Sequence, residues 1–450
     1  MPPMPMGNSA SAEIWKQAMG LYGPLDEAPL RASIADKTEL LGRYDVPGID
    51  RVVSILPWGR SGSLLLASYF DGHDDVLTLP ELCAWRLHEF FSTFPDLTWD
   101  EKLLAYPAFR RDTTKFFDGE FAISPSAYYA AVEAIAAQGE RWPPEFRASW
   151  RAFFVLVHVA YSLALGRKPA TARPLIVYGQ HDSDAALAQR MRADFPEIRF
   201  LHTVRDPVAT CDASFHSLLP TLASQQLHLP HAVLDFLIRC DAPQSGVEAL
   251  TRAVRFEDLH VRTVDVMRDL AAWVGLEYSD VLLQSTFNGV PYVVARDGIA
   301  WSGQRLLQAE RKPRYFSDRD QLVLSALFYE NFRQWGYEVP ANFSGALVRL
   351  MTAFTVGLLP TTMERTGARL IYAERFEPAL RERKPVRAVK SIMAVVVCRA
   401  KVFGLVASAV VRRCLRRPML LSVRFFHGPA NVRVKPCSAV AETANSRERS

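Results

Sequence analysis

The sequence is 450 residues long, with 49% hydrophobic and 22% charged residues, an ordinary globular composition that excludes a disordered polymer. Six cysteines (Cys83, Cys211, Cys240, Cys398, Cys414, Cys437) are scattered and none forms a Cys-x-x-Cys pair, which excludes a disulfide scaffold, a zinc ribbon and a thioredoxin-like site. The formal net charge of +5 hides an asymmetry: residues 341–450 carry 20 Lys and Arg against 6 Asp and Glu, a balance of +14, and the first 340 carry −9.

The N-terminal stretch MPPMPMGNSASAEIWKQ has no basic segment followed by an apolar run, so no secretory leader is expected. With reduced thiols, that points to the cytoplasm. Residues 51–56, RVVSIL, form a short β-branched run; a Pro-Trp-Gly turn and the apolar helix SLLLASYF follow. Helical periodicity covers 85–91, 126–137 and 146–165. Residues 174–178 predict a second strand. A helix over 184–195 follows, with Asp182 or Ser183 as N-cap and Pro196 as its stop. Residues 198–204 and 253–256 predict two more strands. A helix over 264–274 is closed by Gly275, and one over 317–335 has an acidic first turn and Gly336 just past its end. Strands alternating with helices predict an α/β three-layer sandwich with a central parallel sheet and a P-loop-like phosphate-binding loop. The composition changes near Pro340. The reading therefore expects a body over 1–340 and a basic, partly apolar helical extension over 341–450, disordered at its end.

The first chemistry-bearing motif is Pro57 to Ser63, PWGRSGS, between the first strand and its helix. Gly59 and Gly62 permit a tight turn with the backbone close to a ligand. Amides around Arg60 to Leu64 can converge at the positive end of the helix, an anion site for phosphate or sulfate. Arg60 adds a permanent charge, and Ser61 and Ser63 add hydroxyls. A Walker A loop requires lysine after its last glycine; Ser63 stands there, which disfavours a magnesium–nucleotide site. An ordinary Gly/Ser turn is the bland alternative. The second motif is Arg205-Asp206-Pro207, at the end of the 198–204 strand, followed by Ser214 on the next helix. Ligands of open α/β sheets bind beyond the carboxyl ends of strands, where an Arg and a Ser can grip a second phosphate. A helix cap with a surface arginine is the alternative there.

Together these motifs resemble the sulfotransferases that use 3′-phosphoadenosine 5′-phosphosulfate (PAPS). Arg60-Ser61-Gly62-Ser63 is similar to the family's first motif, and Arg205-Asp206-Pro207 with Ser214 to its second. Val254-Arg-Phe-Glu-Asp-Leu259 resembles a third block, and Gly72 to Val76, Pro80-Glu81, Trp273 to Leu276, Thr286 to Gly289, Trp301 to Gly303, Arg311-Lys312 and Trp335 to Tyr337 are also family-like. The resemblance covers roughly residues 50–340. Departures exist: Trp58-Gly59 is inserted before Arg60, position 213 is Ala213 where the family usually has its serine, and the Arg-Lys-Gly clamp of the cytosolic aryl and steroid branch is missing. The pattern is nearer to bacterial and Golgi-type carbohydrate or tyrosine sulfotransferases.

The resemblance implies transfer of a sulfuryl group from PAPS to a hydroxyl or amine, with no metal. It implies that Arg60 and the Gly62–Leu64 amides stabilise the leaving 5′-phosphate, and that Arg205 with Ser214 holds the 3′-phosphate. Gly59, Ser61 and Ser63 complete the expected donor site. Glu81 is the expected general base, with His73, His181 and His202 as rivals. Glu257-Asp258 is expected to anchor neighbouring loops. The expected acceptor is a small molecule, a carbohydrate or a lipid-linked group. Two other classes stay open: a small-molecule kinase on the same scaffold, and a non-catalytic scaffold attached to membranes.

The best membrane candidate is 391–411, but Arg399 and Lys401 lie in its middle, and each costs about 2.5–3.5 kcal/mol at a bilayer centre. No acidic residue occurs between Glu382 and Glu442. Apolar residues with unneutralised cations suit a helix on an anionic membrane face, here the inner one. A basic helix packed on the body fits nearly as well. A nucleic-acid partner is not expected.

Overall fold

The computed structural model describes residues 9–109, 116–180, 185–221, 228–240, 247–296, 299–302, 313–341, 343, 345–415 and 424–426. His181, the caps Asp182 and Ser183, Gly303, Arg311-Lys312 and the end over 427–450 lie outside them.

Six parallel strands form the central sheet: β1 (Val52–Pro57), β2 (Val76–Cys83), β3 (Leu175–Gly179), β4 (Arg199–Val204), β5 (Thr251–Arg255) and β6 (Arg424–Phe425). Their spatial order is β6-β5-β4-β1-β3-β2. From β1 the chain runs to β2 and β3 on one side, and from β4 to β5 on the other. Connections therefore diverge between β1 and β4, and a crevice opens at their carboxyl ends. The register sets Leu56 beside His202 and His202 beside Ala253, so these three share a face.

Alternation within the strands feeds two faces. Val53, Ile55, Val177, Leu201 and Val254 pack with helices α3 (Ser63–Phe70) and α12 (Thr263–Val274). On the opposite face Val52, Leu56, Ile176 and Phe200 pack with an aromatic-rich layer. That layer contains α1 (Ser9–Tyr22), α2 (Glu27–Leu41), α4 (Ala84–Thr93), α5 (Trp99–Ala105), α6 (Pro125–Gly139) and α7 (Trp150–Ala164). Beside it, Trp58, Val204 and Ala253 join a second core. Its helices are α9 (Pro207–Leu218), α10 (Leu229–Arg239), α13 (Asp318–Leu327) and α14 (Tyr329–Trp335). Helix α8 (Ala185–Asp194) links β3 to β4, and α11 (Phe256–Val261) follows β5 directly. The expected three-layer α/β fold is therefore present.

One expected helix changes, and two features are added to the reading. The 317–335 helix is two helices: Ser317 caps the first through a reciprocal pair with Asp320, and Phe328 (φ −108°, ψ 23°) breaks the path before the second. Residues around Glu81 belong to strand β2, which the sequence reading did not predict; the register breaks between Thr78 and Cys83, around Pro80, which cannot donate to a ladder. Beyond Pro340 the chain adds helices to the core of the body. Helices α15 (Ala346–Gly357), α16 (Thr362–Ile371) and α17 (Pro385–Leu415) follow it, and Ala353, Met363, Ile371, Cys398, Val402 and Val406 are buried in the same core as Trp58. Farther on, β6 adds a strand to β5, pairing Arg424 with Arg252 and Phe425 with Ala253. An amphipathic helix must bury its apolar stripe, and the open side of α10 and α13 accepts it.

Candidate functional site

The turn after β1 is built around one buried ring. The Trp58 backbone amide donates to the Thr203 carbonyl of β4 at 3.0 Å, and its indole Nε1 donates to the Leu237 carbonyl at 3.1 Å. The ring packs edge-on against Trp335 and Phe328, with centroids 4.7 and 5.3 Å apart. Gly59 and Gly62 have φ of +61° and +85°, and both contacts are tight. A Cβ on Gly62 would lie 2.4 Å from Phe256, and one on Gly59 2.5 Å from Leu237. Gly62 is also the N-cap of α3 and offers that helix no side-chain cap. In contrast, α7, α9 and α13 are capped by Ser149, Asp206 and Ser317. The α3 start thus presents amide hydrogens and its positive end at the rim of the sheet.

Arg60 is exposed and donates through Nε and Nη2 to the Ser217 hydroxyl, at 3.0 and 2.7 Å. Arg205, just past β4, has Nη1 3.5 Å from the Arg60 carbonyl. Its guanidinium lies over the Phe256 ring, 4.5 Å from the centroid. One aromatic ring therefore supports both motifs: it carries Arg205 and packs where Gly62 has no side chain. The two loops meet at the β1–β4 crevice, on one edge of the sheet.

Two expected hydroxyls are buried at this loop. Ser61 is fully buried; its Oγ accepts from the Trp58 amide at 3.1 Å and pairs with the Thr203 hydroxyl at 2.8 Å. It therefore holds the turn together. Ser214 is buried beneath the loop, its Oγ 3.2 Å from where a Gly59 Cβ would stand and without a hydrogen-bond partner. Ser217, one helical turn farther on, is the hydroxyl that reaches Arg60. Ser63 and Leu64 are half-buried in the first turn of α3.

The third block and the closing motif brace the rim from behind. Asp206 caps α9 by accepting from the Ala209 amide at 2.8 Å, and its own amide donates to Glu257 at 3.4 Å. The Tyr337 hydroxyl donates to the other Glu257 oxygen at 2.5 Å. Burial raises the pKa of Glu257, opposed by the Tyr337 hydroxyl and Arg205. Burial also raises Asp206, opposed by the Ala209 amide and Arg205. Asp258 pairs with Arg255 at 3.1 Å and Arg262 at 2.9 Å, and Arg255 Nε donates to the Trp335 carbonyl. The anchoring expected of Glu257 and Asp258 matches these bonds.

Two of the three rivals for general base, His73 and His202, are tied up or enclosed; His181 lies outside the described residues. His73 uses both ring nitrogens, one with the Glu277 carbonyl at 3.0 Å and one with the Asp75 amide at 3.1 Å. His202 lies inside the sheet against Trp335, and burial lowers its pKa to about 4. Glu81 sits on the edge strand β2, toward its carboxyl end; its side chain lies outside the described atoms. Two residues escaped the sequence reading. Phe256 stood inside a quoted motif without a role, and Ser217 is signalled only by its three-residue offset from Ser214.

A family model described as "Sulfotransferase family" matches residues 53–280. Among solved structures, the sulfotransferase domain from the Synechococcus PCC 7002 olefin synthase is 16% identical, covers 70% of this chain and 99% of its own, and has a TM-score of 0.32. The sulfotransferase STF9 from Mycobacterium avium is 12% identical, with 76% and 89% covered and a TM-score of 0.34. No curated protein matches the sequence at a significant level. The matched family segment spans half of the chain and contains the uncapped α3 start, Arg205 and the Phe256 ring between them, so the chain belongs to the sulfotransferase family.

Proposed function

We propose that this sulfotransferase takes its sulfuryl group from PAPS and passes it to a hydroxyl of a carbohydrate or glycolipid. One observation carries the reading: the Arg205 guanidinium stands 3.5 Å from the Arg60 carbonyl, so two cationic loops share one rim. A doubly phosphorylated adenosine has its phosphates on opposite ends of one ribose and needs such a pair. The α3 amides and Arg60 would hold the 5′-phosphate, and Arg205 the 3′-phosphate.

In the reaction the acceptor oxygen forms a bond to sulfur while the bond from sulfur to the bridging phosphate oxygen breaks. The acceptor proton goes to a base, for which Glu81 is the candidate. Fixed positive charge matters most, because negative charge grows on the leaving phosphate. Arg60 is suited to that work, since among the described residues its guanidinium is held by a neutral hydroxyl, Ser217.

Calorimetric titration of adenosine 3′,5′-bisphosphate tests the donor site. Binding should exceed that of ATP with magnesium, and Arg205→Ala should weaken it about a hundredfold, the worth of charge-assisted bonds. Equal binding of both nucleotides would favour the kinase alternative. Glu81→Gln should remove turnover of labelled donor and leave the titration unchanged.

A further inference from the structure

We propose that α15, the turn at Leu358 and Leu359, and the first half of α17 form one face that docks on an anionic membrane surface. The proposal does not rest on the reaction proposed above. Seventeen large apolar side chains are exposed among the described residues, and eleven of them fall on α15, the Leu358–Leu359 turn and the first half of α17. Leu347, Leu358 and Val386 are the barest, at 71%, 64% and 67% exposure. Such a concentration marks a contact surface and not the scattered exposure of ordinary surfaces.

The elements that carry these residues lie side by side. Cys414 Sγ donates to the Ala346 carbonyl at 3.6 Å, Phe403 packs on Phe354 with centroids 6.1 Å apart, and Arg399 reaches the Gly357 carbonyl. Helix α15 thus runs antiparallel to the second half of α17, and its end brings Leu358 and Leu359 toward the Val396 end of the exposed stripe Val386, Val389, Met393 and Val396. The same helix is long and apolar enough to cross a membrane. Yet its other face, Cys398, Val402, Val406 and Val410, is packed in the core, and Arg399 pairs with Glu364 at 3.1 Å. A helix held that way lies on a bilayer and does not span it.

Charge selects the occupant. From Arg383 to Leu415 there are eight Lys and Arg and no acidic residue. Arg387 and Lys390 are exposed on the same half of the helix as the apolar stripe, and Arg383 and Lys384 are exposed just before it; Glu382 engages Lys384 at 2.8 Å and Arg387 at 3.8 Å. A second copy of the chain would bring cation against cation. An anionic lipid surface offers both the apolar depth and the counter-charge.

Flotation of the full chain with vesicles tests this, using phosphatidylcholine alone and phosphatidylcholine with phosphatidylserine. The chain should float with the anionic vesicles only. Leu358→Asp with Met393→Asp should lose binding by about a hundredfold or more, and Lys390→Gln by about fivefold. Val264→Asp, an exposed apolar residue elsewhere, should bind as the parent does, with thermal melting confirming that each variant folds. The proposal is overturned if the chain ignores anionic vesicles, if the double variant binds undiminished, or if Val264→Asp loses as much. A dimer in sedimentation that the double variant dissociates, with no vesicle binding, would assign the face to a second copy instead.

Discussion

The rim of the sheet and the C-terminal helices place the same residue types in opposite ways. At the rim the rings go inward, with Trp58 and Trp335 buried on one another, while Arg60 and Arg205 face the crevice. In the C-terminal region three cations go inward, Arg349 to Glu330, Arg399 to Glu364 and Arg413 to Asn331, at 2.9, 3.1 and 3.1 Å, while Arg387 and Lys390 stay exposed for an anionic surface. Leu347, Met351, Leu358 and Met393 go out. A ligand-binding rim aims charge at its ligand and hides the rings that stiffen it. A surface meant for a membrane pairs the cations at its inner side and exposes the apolar stripe, with cations kept only where headgroups can meet them. Composition sees the basic, apolar tail but not this inversion.

The sharpest way to break the rim is at Gly62. An alanine there combines a left-handed φ with an overlap on Phe256, so the loop and the ring beneath Arg205 move together. We expect Gly62→Ala to cost roughly 3 kcal/mol of stability and to abolish nucleotide titration. Gly289 has φ of +75° with open space around it, so Gly289→Ala should cost only about 1 kcal/mol and leave titration intact. Equal effects of the two in denaturant unfolding would mean that backbone conformation alone, and not the Phe256 contact, sets the rim.

The C-terminal region breaks next, at Arg399. Removing this side chain leaves Glu364 buried with, among the described residues, its bonds to Thr361. Because the arginine is partly exposed, we expect Arg399→Ala to cost about 2–3 kcal/mol in denaturant unfolding, below the range for a fully buried pair. Arg399→Met with Glu364→Gln should recover much of it, since no lone charge then remains. An unaffected Arg399→Ala protein would show that the apolar stripe of α17 holds this region without its ion pair.

Legibility in the sequence followed how local each determinant is. β1, β3, β4 and β5 are short β-branched runs bounded by Pro, Gly or polar residues, so they were readable from the chain alone. β2 was not, because Pro80 interrupts VLTLPELC and its register slips there. The two anion motifs were readable as motifs, since glycine and arginine have few other reasons to stand in those places. The direction of a hydroxyl was not: Ser61 turns inward because Thr203 lies opposite it on β4, and strand adjacency is a tertiary fact. The fate of the tail was half-legible. Cys398, Val402 and Val406 recur every four residues, which marks a buried stripe, while charge drew the reading outward.

Acid provides the mildest test of the contrast. His202, against Trp335, and His158, in the aromatic layer, are held neutral by burial, with pKa values of about 4. Their folded values lie below the unfolded one, so their contribution is complete above about pH 6.5 and is lost as pH falls toward 4. Asp206 and Glu257 are raised by burial and have the opposite sign: acidification relieves them. The cations of the C-terminal face stay charged throughout. Stability measured by denaturant unfolding should therefore fall between pH 6.5 and 4.5, and His202→Leu should flatten the slope by about 1.4 kcal/mol per pH unit, one proton's worth. Vesicle binding should not follow the same curve. A slope unchanged in His202→Leu would mean that the ring already carries its proton in the fold, and the rim would then hold a third cation directly behind Trp335.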